Sequence, residues 1–336
     1  MRTGKYGKYI SRKIIEQSKY EKITAPAVNY RGDSGGKDLT FQWSCITEPF
    51  TMDQEPEVSD QDRFLMFAST NLEDVMDFRA EAELYLGEEK EKQLIQQPTF
   101  VYIPAGLPLG EIRFKSIGSP ISLWQYTLDT KYSENWKAPS LSGYVTRPGQ
   151  GAMGGGVISE ELAATGNEEQ DSVIKVYERG GVPFRTIKIP ETPNLACWCK
   201  PLGIQANLCT GYFVIKYRDF CSYEPFHYHT KFDEWLIFLG GNPLNVEGFD
   251  AEIEMFWGEE HEMQVVDSTC IAHIPPCLIH LGQEHRRVGK PIIESITVAG
   301  TGDYFSEIEK VVVSNPEIGE PMISEGAPDW VPPRKG

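Results

Sequence analysis

The stretch FHYHTKFDEWLIFLGG, residues 226–241, places His227 and His229 one residue apart and Glu234 five positions after the second. Imidazole nitrogens and carboxylate oxygens are both ligands for divalent first-row ions. Side chains two apart on a strand point to the same face, so His227 and His229 can reach one point. Glu234, on a neighbouring strand beyond a bend, adds an anionic oxygen. Far along the chain His280 follows the turn Ile274-Pro275-Pro276-Cys277 and can enter from a third strand. Three neutral imidazoles and one carboxylate suit one divalent transition ion (Fe, Mn, Ni or Zn), with one or two positions left for water or substrate.

All six histidines fall between positions 227 and 285. His273, in the strand before the turn, is either structural or an acid/base and substrate contact; it is the tentative catalytic residue. His261 and His285 are expected to face solvent. Ile253, Met255 and Trp257 alternate on one strand face and are either plain core or the wall of a substrate pocket. Arg286 and Arg287 are either a solvated pair or a clamp for a carboxylate substrate.

The elements that must position these groups are written twice. Residues 62–121 align without a gap against 233–292, a shift of 171 (233 − 62), and about a third of the positions are identical. AEAELYLGEEKE answers to AEIEMFWGEEHE, and VYIPAG to AHIPPC. Within each copy apolar and polar residues alternate with period two, the mark of a half-buried antiparallel strand. Short strands at this spacing predict an all-β sandwich or barrel, made twice. Glu88, Glu89 and Glu91 recur as Glu259, Glu260 and Glu262, which favours a structural role for them.

His227-x-His229-x4-Glu234-x6-Gly241 resembles the first motif of the cupin superfamily. Pro275-x-Cys277-x-x-His280 is similar to its second motif, normally Pro-x-Gly-x-x-His. Cys277 stands where the family has glycine; the first copy keeps one, in Pro104-Ala105-Gly106. The resemblance implies a bicupin, two tandem jelly-roll β-barrels. The N-terminal cupin covers 1–140, a Gly-rich linker or lid 141–172, the metal-binding C-terminal cupin 173–314, and an extended tail 315–336. At the shift of 171 the four ligands correspond to Pro56, Val58, Arg63 and Leu109, so the first site is degenerate and one metal per chain is expected.

Composition bounds the rest. The chain has 336 residues, 40% of them hydrophobic, and a formal charge of −17. That acidity argues against binding to nucleic acid. The basic, tyrosine-rich N-terminal stretch lacks the apolar core of a secretory signal, and no window reaches the roughly 18 apolar residues of a membrane span. Seven cysteines, an odd count, suit free thiols, and a cytoplasmic protein is expected. The partner is a small-molecule substrate, and self-association into a homo-oligomer is left open.

Cupin relatives include isomerases, lyases, decarboxylases and dioxygenases, and fold alone does not choose among them. The resemblance implies a metal-dependent enzyme acting on a small oxygen-rich substrate (enol, carbonyl or carboxylate) chelated to the ion, with a slight lean to dioxygenase. The alternatives are a non-redox lyase, isomerase or decarboxylase using the metal as a Lewis acid, and a non-catalytic small-molecule-binding bicupin. Cys270 and Cys277 count against oxygen chemistry, because activated oxygen oxidises exposed thiolates.

Overall fold

The computed structural model describes residues 4–32, 38–53, 55–132, 144–146, 194–197, 208–216, 228–229, 232–280, 283–299 and 308–310. His227, most of the Gly-rich segment 141–172 and the tail 315–336 lie outside them. Among the described residues the only helical pieces are the short turns Gly7–Tyr9 and Thr130–Tyr132. No helix there is long and apolar enough to cross a membrane.

The strands, in chain order, are β1 (Ile10–Ser11), β2 (Ile15–Glu16), β3 (Ala27–Tyr30), β4 (Leu39–Ile46), β5 (Phe50–Met52), β6 (Arg63–Ser69), β7 (Ala80–Leu86), β8 (Glu91–Ile95), β9 (Thr99–Ile103), β10 (Leu109–Ile117), β11 (Ile121–Leu128) and β12 (Tyr144–Thr146). There follow β13 (Asn194–Cys197), β14 (Leu208–Ile215), β15 (Tyr228–His229), β16 (Asp233–Gly240), β17 (Ala251–Trp257), β18 (Glu262–Val266), β19 (Cys270–Ile274), β20 (Glu284–Val288), β21 (Ile292–Ala299) and β22 (Ile308–Lys310). The first unit sets a sheet of order β12-β9-β6-β11-β4-β3-β2 against one of order β5-β10-β7-β8. The second sets β1-β19-β16-β21-β14-β13 against β18-β17-β20, with β15 and β22 as a separate pair. The expected all-β architecture of two tandem barrels is what the chain adopts.

The repeat in the sequence is a repeat in the backbone. Gly87, Lys90 and Gly106 hold φ of 75°, 53° and 83°; their counterparts Gly258, His261 and Cys277 hold 73°, 52° and 67°. His261 is thus a left-handed turn residue, standing where the first copy uses Lys90. Gly118 N–H donates to Arg79 O at 2.6 Å, as Gly289 N–H donates to Asp250 O at 2.8 Å.

Each barrel has its own apolar interior. Leu84, Phe67, Phe114, Ile112 and Leu123 fill the first; Ile253, Met255, Trp257, Phe238 and Ala272 lie in the second. A third cluster joins the two large sheets back to back, with Phe41, Trp43, Trp124 and Tyr126 meeting Val214, Trp235, Ile237 and Ile271. This explains why every residue of β16 is buried: one face looks into the barrel and the other onto its neighbour.

The N-terminal arm crosses to the second barrel. Ile10 and Ser11 pair with Ala272 and Ile271 of β19, just as β12, which follows the first copy in sequence, pairs with β9. Both backbone amides of Lys5 and Tyr6 donate to the Glu262 carboxylate, at 2.9 and 3.1 Å, and the Tyr6 hydroxyl donates to Glu260 at 2.7 Å. Glu260 and Glu262 therefore hold this arm in place.

Candidate metal centre

His229 ends the short strand β15, Glu234 is the second residue of β16, and His280 bridges to Trp257 at the end of β17. Glu234 faces inward because its alternates Leu236 and Phe238 belong to the barrel core. The three side chains converge: each offers a ligand atom, and these atoms all lie within 4.8 Å of one another. His229 Nε2 and His280 Nε2 each stand 3.2 Å from Glu234 Oε2. All three residues are 2–3% exposed. Phe232 stacks on His229 with ring centroids 4.3 Å apart and fixes the imidazole plane.

Protons do not account well for this geometry. His280 Nδ1 lies 2.9 Å from Leu278 O. A carbonyl only accepts, so Nδ1 carries the hydrogen, and neutral His280 turns the Nε2 lone pair toward Glu234. Burial lowers the His229 pKa, with the Glu234 charge acting the other way, which favours neutral imidazole. Burial raises the Glu234 carboxyl, but the contact with His229 acts against it, and the group is held below the usual carboxylate range. An anionic oxygen thus faces the His280 lone pair in a dry interior, where like-signed partial charges repel strongly. A cation between them resolves the conflict, and the donor set of nitrogen and carboxylate oxygen fits a divalent first-row ion.

One backbone contact couples the two motifs. Cys277 N–H donates to His229 O at 2.6 Å, so the turn that launches His280 is tied to the strand end that carries His229. Cys277 makes this turn with φ of 67°, a region glycine enters at no steric cost. Cys277→Gly is expected to stabilise the fold by up to about 1 kcal/mol, read as a rise in Tm of roughly 2–4 °C, with metal content unchanged. A fall in Tm would mean the cysteine side chain contributes more than its backbone costs.

Several sequence expectations change. His273 lies on the opposite face of β19 from Ile274, whose strand partner is Glu234. Its Nε2 pairs with Asp233 Oδ1 at 2.7 Å, and its ring stacks on Trp235 at 4.9 Å. It belongs to the contact between the barrels, not to the cluster of His229, Glu234 and His280. His285, expected at the surface, is buried, because strand alternation turns it inward while Arg286 faces out. Arg286 and Arg287 pair with Glu254 and Asp250, so carboxylates of this chain already meet the supposed clamp. Ile253, Met255 and Trp257 are fully buried in the barrel interior, and Trp257 bridges to His280. Tyr9 of the N-terminal arm stacks on Trp257, centroids 6.0 Å apart.

The first barrel has no such cluster among its described residues. Arg63 replaces Glu234 there, and its guanidinium donates to Glu57 O at 3.0 Å. Burial lowers its pKa, with the charges of Glu57 and Asp53 acting against that.

No family model matches the sequence, and no curated protein matches it. Solved structures with a similar arrangement include AerE from Microcystis aeruginosa, 11% identical, covering 87% of this chain and 98% of that one at a TM-score of 0.48. Oxalate decarboxylase of Bacillus subtilis, studied for its Mn(II) centres, is 10% identical, with 88% and 77% covered at 0.48. Vicilin from Corylus avellana (hazelnut) is 12% identical, with 88% and 86% covered at 0.48. Likeness at that level says nothing of what this chain binds or does.

Proposed function

We propose that this chain is a metal-dependent enzyme whose second barrel holds one divalent first-row ion through His229, Glu234 and His280, with His227 as a fourth ligand. The observation that carries this reading is the buried Glu234 oxygen set 3.2 Å from two imidazole nitrogens. His227 enters by its position two residues from His229, on the same strand face if the strand extends that far. The ion supplies Lewis acidity and lowers the pKa of a bound water or of a chelating substrate oxygen. The chain's own part is to hold that ion in a dry pocket, where charge on a substrate oxygen interacts more strongly than in water. Trp257, Met255 and Ile253 keep water from the wall beside it.

The substrate class is a small molecule with an enol, carbonyl or carboxylate oxygen. Dioxygen-dependent cleavage is the first reaction to test. Cys270, one of the two thiols that counted against it, is fully buried, and burial pushes its pKa up to about 12, so it offers no exposed thiolate. Oxygen uptake by the Fe(II)-loaded protein with enols and catechol-like phenols is expected to match substrate loss. No uptake with any of them would end the dioxygenase reading. Deuterium exchange at the carbon beside a substrate carbonyl would then support the non-redox alternative.

A further inference from the structure

Three polar side chains lie inside the second barrel without belonging to the metal cluster. Gln283, His285 and Glu294 are 6%, 3% and 2% exposed. Gln283 Nε2 donates to Glu294 Oε1, and His285 Nε2 stands 3.7 Å from Glu294 Oε2. Because a carboxylate only accepts, the amide must turn its nitrogen to Glu294. Gln283 Oε1 is then a buried acceptor that takes no hydrogen bond from any described residue.

The fold does not require this trio. At the shift of 171 the same positions in the first barrel are Ile112, Phe114 and Leu123, all in its apolar interior. The strand registers agree: Phe114 faces Ala82 as His285 faces Ile253, and Leu123 faces Phe67 as Glu294 faces Phe238. One barrel closes on three apolar side chains, and its twin buries polar groups there. A buried amide oxygen left without a hydrogen bond, as Gln283 Oε1 is among the described residues, costs on the order of 1–3 kcal/mol. A cost that packing does not demand points to a ligand.

The trio also lies along the axis from the metal cluster. On β17 Trp257 bridges to His280 and Ile253 pairs with His285. On β16 Glu234 lies four residues from Phe238, the partner of Glu294. Both routes place the two centres about 13 Å apart along the strands, less the reach of the side chains. The wall between them is apolar: Met255, Leu236 and Ile253.

We propose that Gln283 and Glu294, flanked by His285, form a second binding point that takes a hydrogen-bond donor, a hydroxyl or an ammonium, at the far end of the substrate. This rests on the metal reading, since the oxygen-bearing end meets the ion. The groups offered are an amide oxygen and a carboxylate, which accept from a donor and repel an acid. The substrate class narrows to compounds with a metal-binding oxygen at one end, an apolar middle and a donor at the other.

Calorimetric titration of the Zn(II)-loaded protein with hexanoate, its ω-hydroxy derivative and its ω-amino derivative tests this. At least one derivative is expected to bind roughly 10-fold tighter than hexanoate, the equivalent of one good hydrogen bond; the tighter one identifies the donor. Gln283→Ile, alone and with Glu294→Leu, installs the first barrel's residues and is expected to abolish the preference while metal content stays at the wild-type level. Equal binding of all three probes by the wild type, or a preference that survives in the variants, would overturn the proposal. Should the variants not fold, the wild-type ratio decides. Should zinc not bind, the metal reading fails on its own, and the same titration of the metal-free protein still reads the donor preference.

Discussion

Glu234→Gln is expected to weaken divalent-ion binding roughly 100-fold or more while raising the Tm of the metal-free protein. The two effects have one cause. In the native chain an anionic oxygen stands 3.2 Å from two imidazole nitrogens, an arrangement that serves a cation and is unfavourable without one. The loss of the charged ligand should exceed the 10- to 100-fold typical of changes to groups that merely support a ligand. The glutamine amide can donate to the imidazole that faced the carboxylate, turning repulsion into a hydrogen bond of about 1 kcal/mol, or roughly 2–4 °C. Titration with Mn(II) or Zn(II), and melting in chelator, read the two effects separately. Unchanged affinity would remove Glu234 from the ligand set. A lower metal-free Tm would show that the native trio is already held together by protons.

Asp233→Ala is expected to cost about 3 kcal/mol, on the order of 10 °C in Tm, without loss of metal. Asp233 is the residue before Glu234, so strand alternation sends it to the other face of β16. There its Oδ2 accepts from the Tyr132 hydroxyl at 2.6 Å and its Oδ1 pairs with His273. Burial, then the Asp233 charge, raises the Tyr132 pKa, so the hydroxyl stays protonated and donates. Tyr132 follows β11 of the first barrel, and its ring meets Trp235 edge-on at 6.3 Å. Removing the carboxylate takes the shared acceptor from buried His273 and half-buried Tyr132 at the contact between barrels. Urea unfolding with metal analysis of the same sample checks both halves. Loss of metal with little loss of stability would instead give Asp233 and His273 a part in the site.

How much of this was legible follows from what each signal encodes. The ligand trio was readable because histidine is confined to residues 227–285, with Glu234 beyond a bend after His229 and a turn leading into His280. The repeat was readable because the same strand pairs recur, down to the three left-handed positions shared by Gly87, Lys90 and Gly106 with Gly258, His261 and Cys277. Cys277 stands where the first copy has Gly106; the backbone keeps the same left-handed turn, and the strain falls on the residue.

The face of an isolated histidine was not legible. His273 sits in CIAHI, buried on both sides, so hydrophobic alternation gives no phase. Only the register with β16 shows that Ile274, not His273, lies opposite Glu234. His285 was masked differently. Its neighbours Arg286 and Arg287 read as a solvated run, and the irregular register of β20 against β17 blurs the period. Glu294 did carry a signal, a lone charge inside PIIESITVAG aligned with Leu123. The N-terminal arm left none, because the pairing of Ile10 with Ala272 joins segments at opposite ends of the chain.

The most direct measurement is the metal content of the purified chain after reloading in turn with Fe(II), Mn(II), Ni(II) and Zn(II), beside His280→Ala treated alike. One ion per chain in the native protein, and close to none in the variant, is the expected result. No retention of any of the four, or an ion that stays when His280 is gone, would contradict the convergence of these side chains on a single cation.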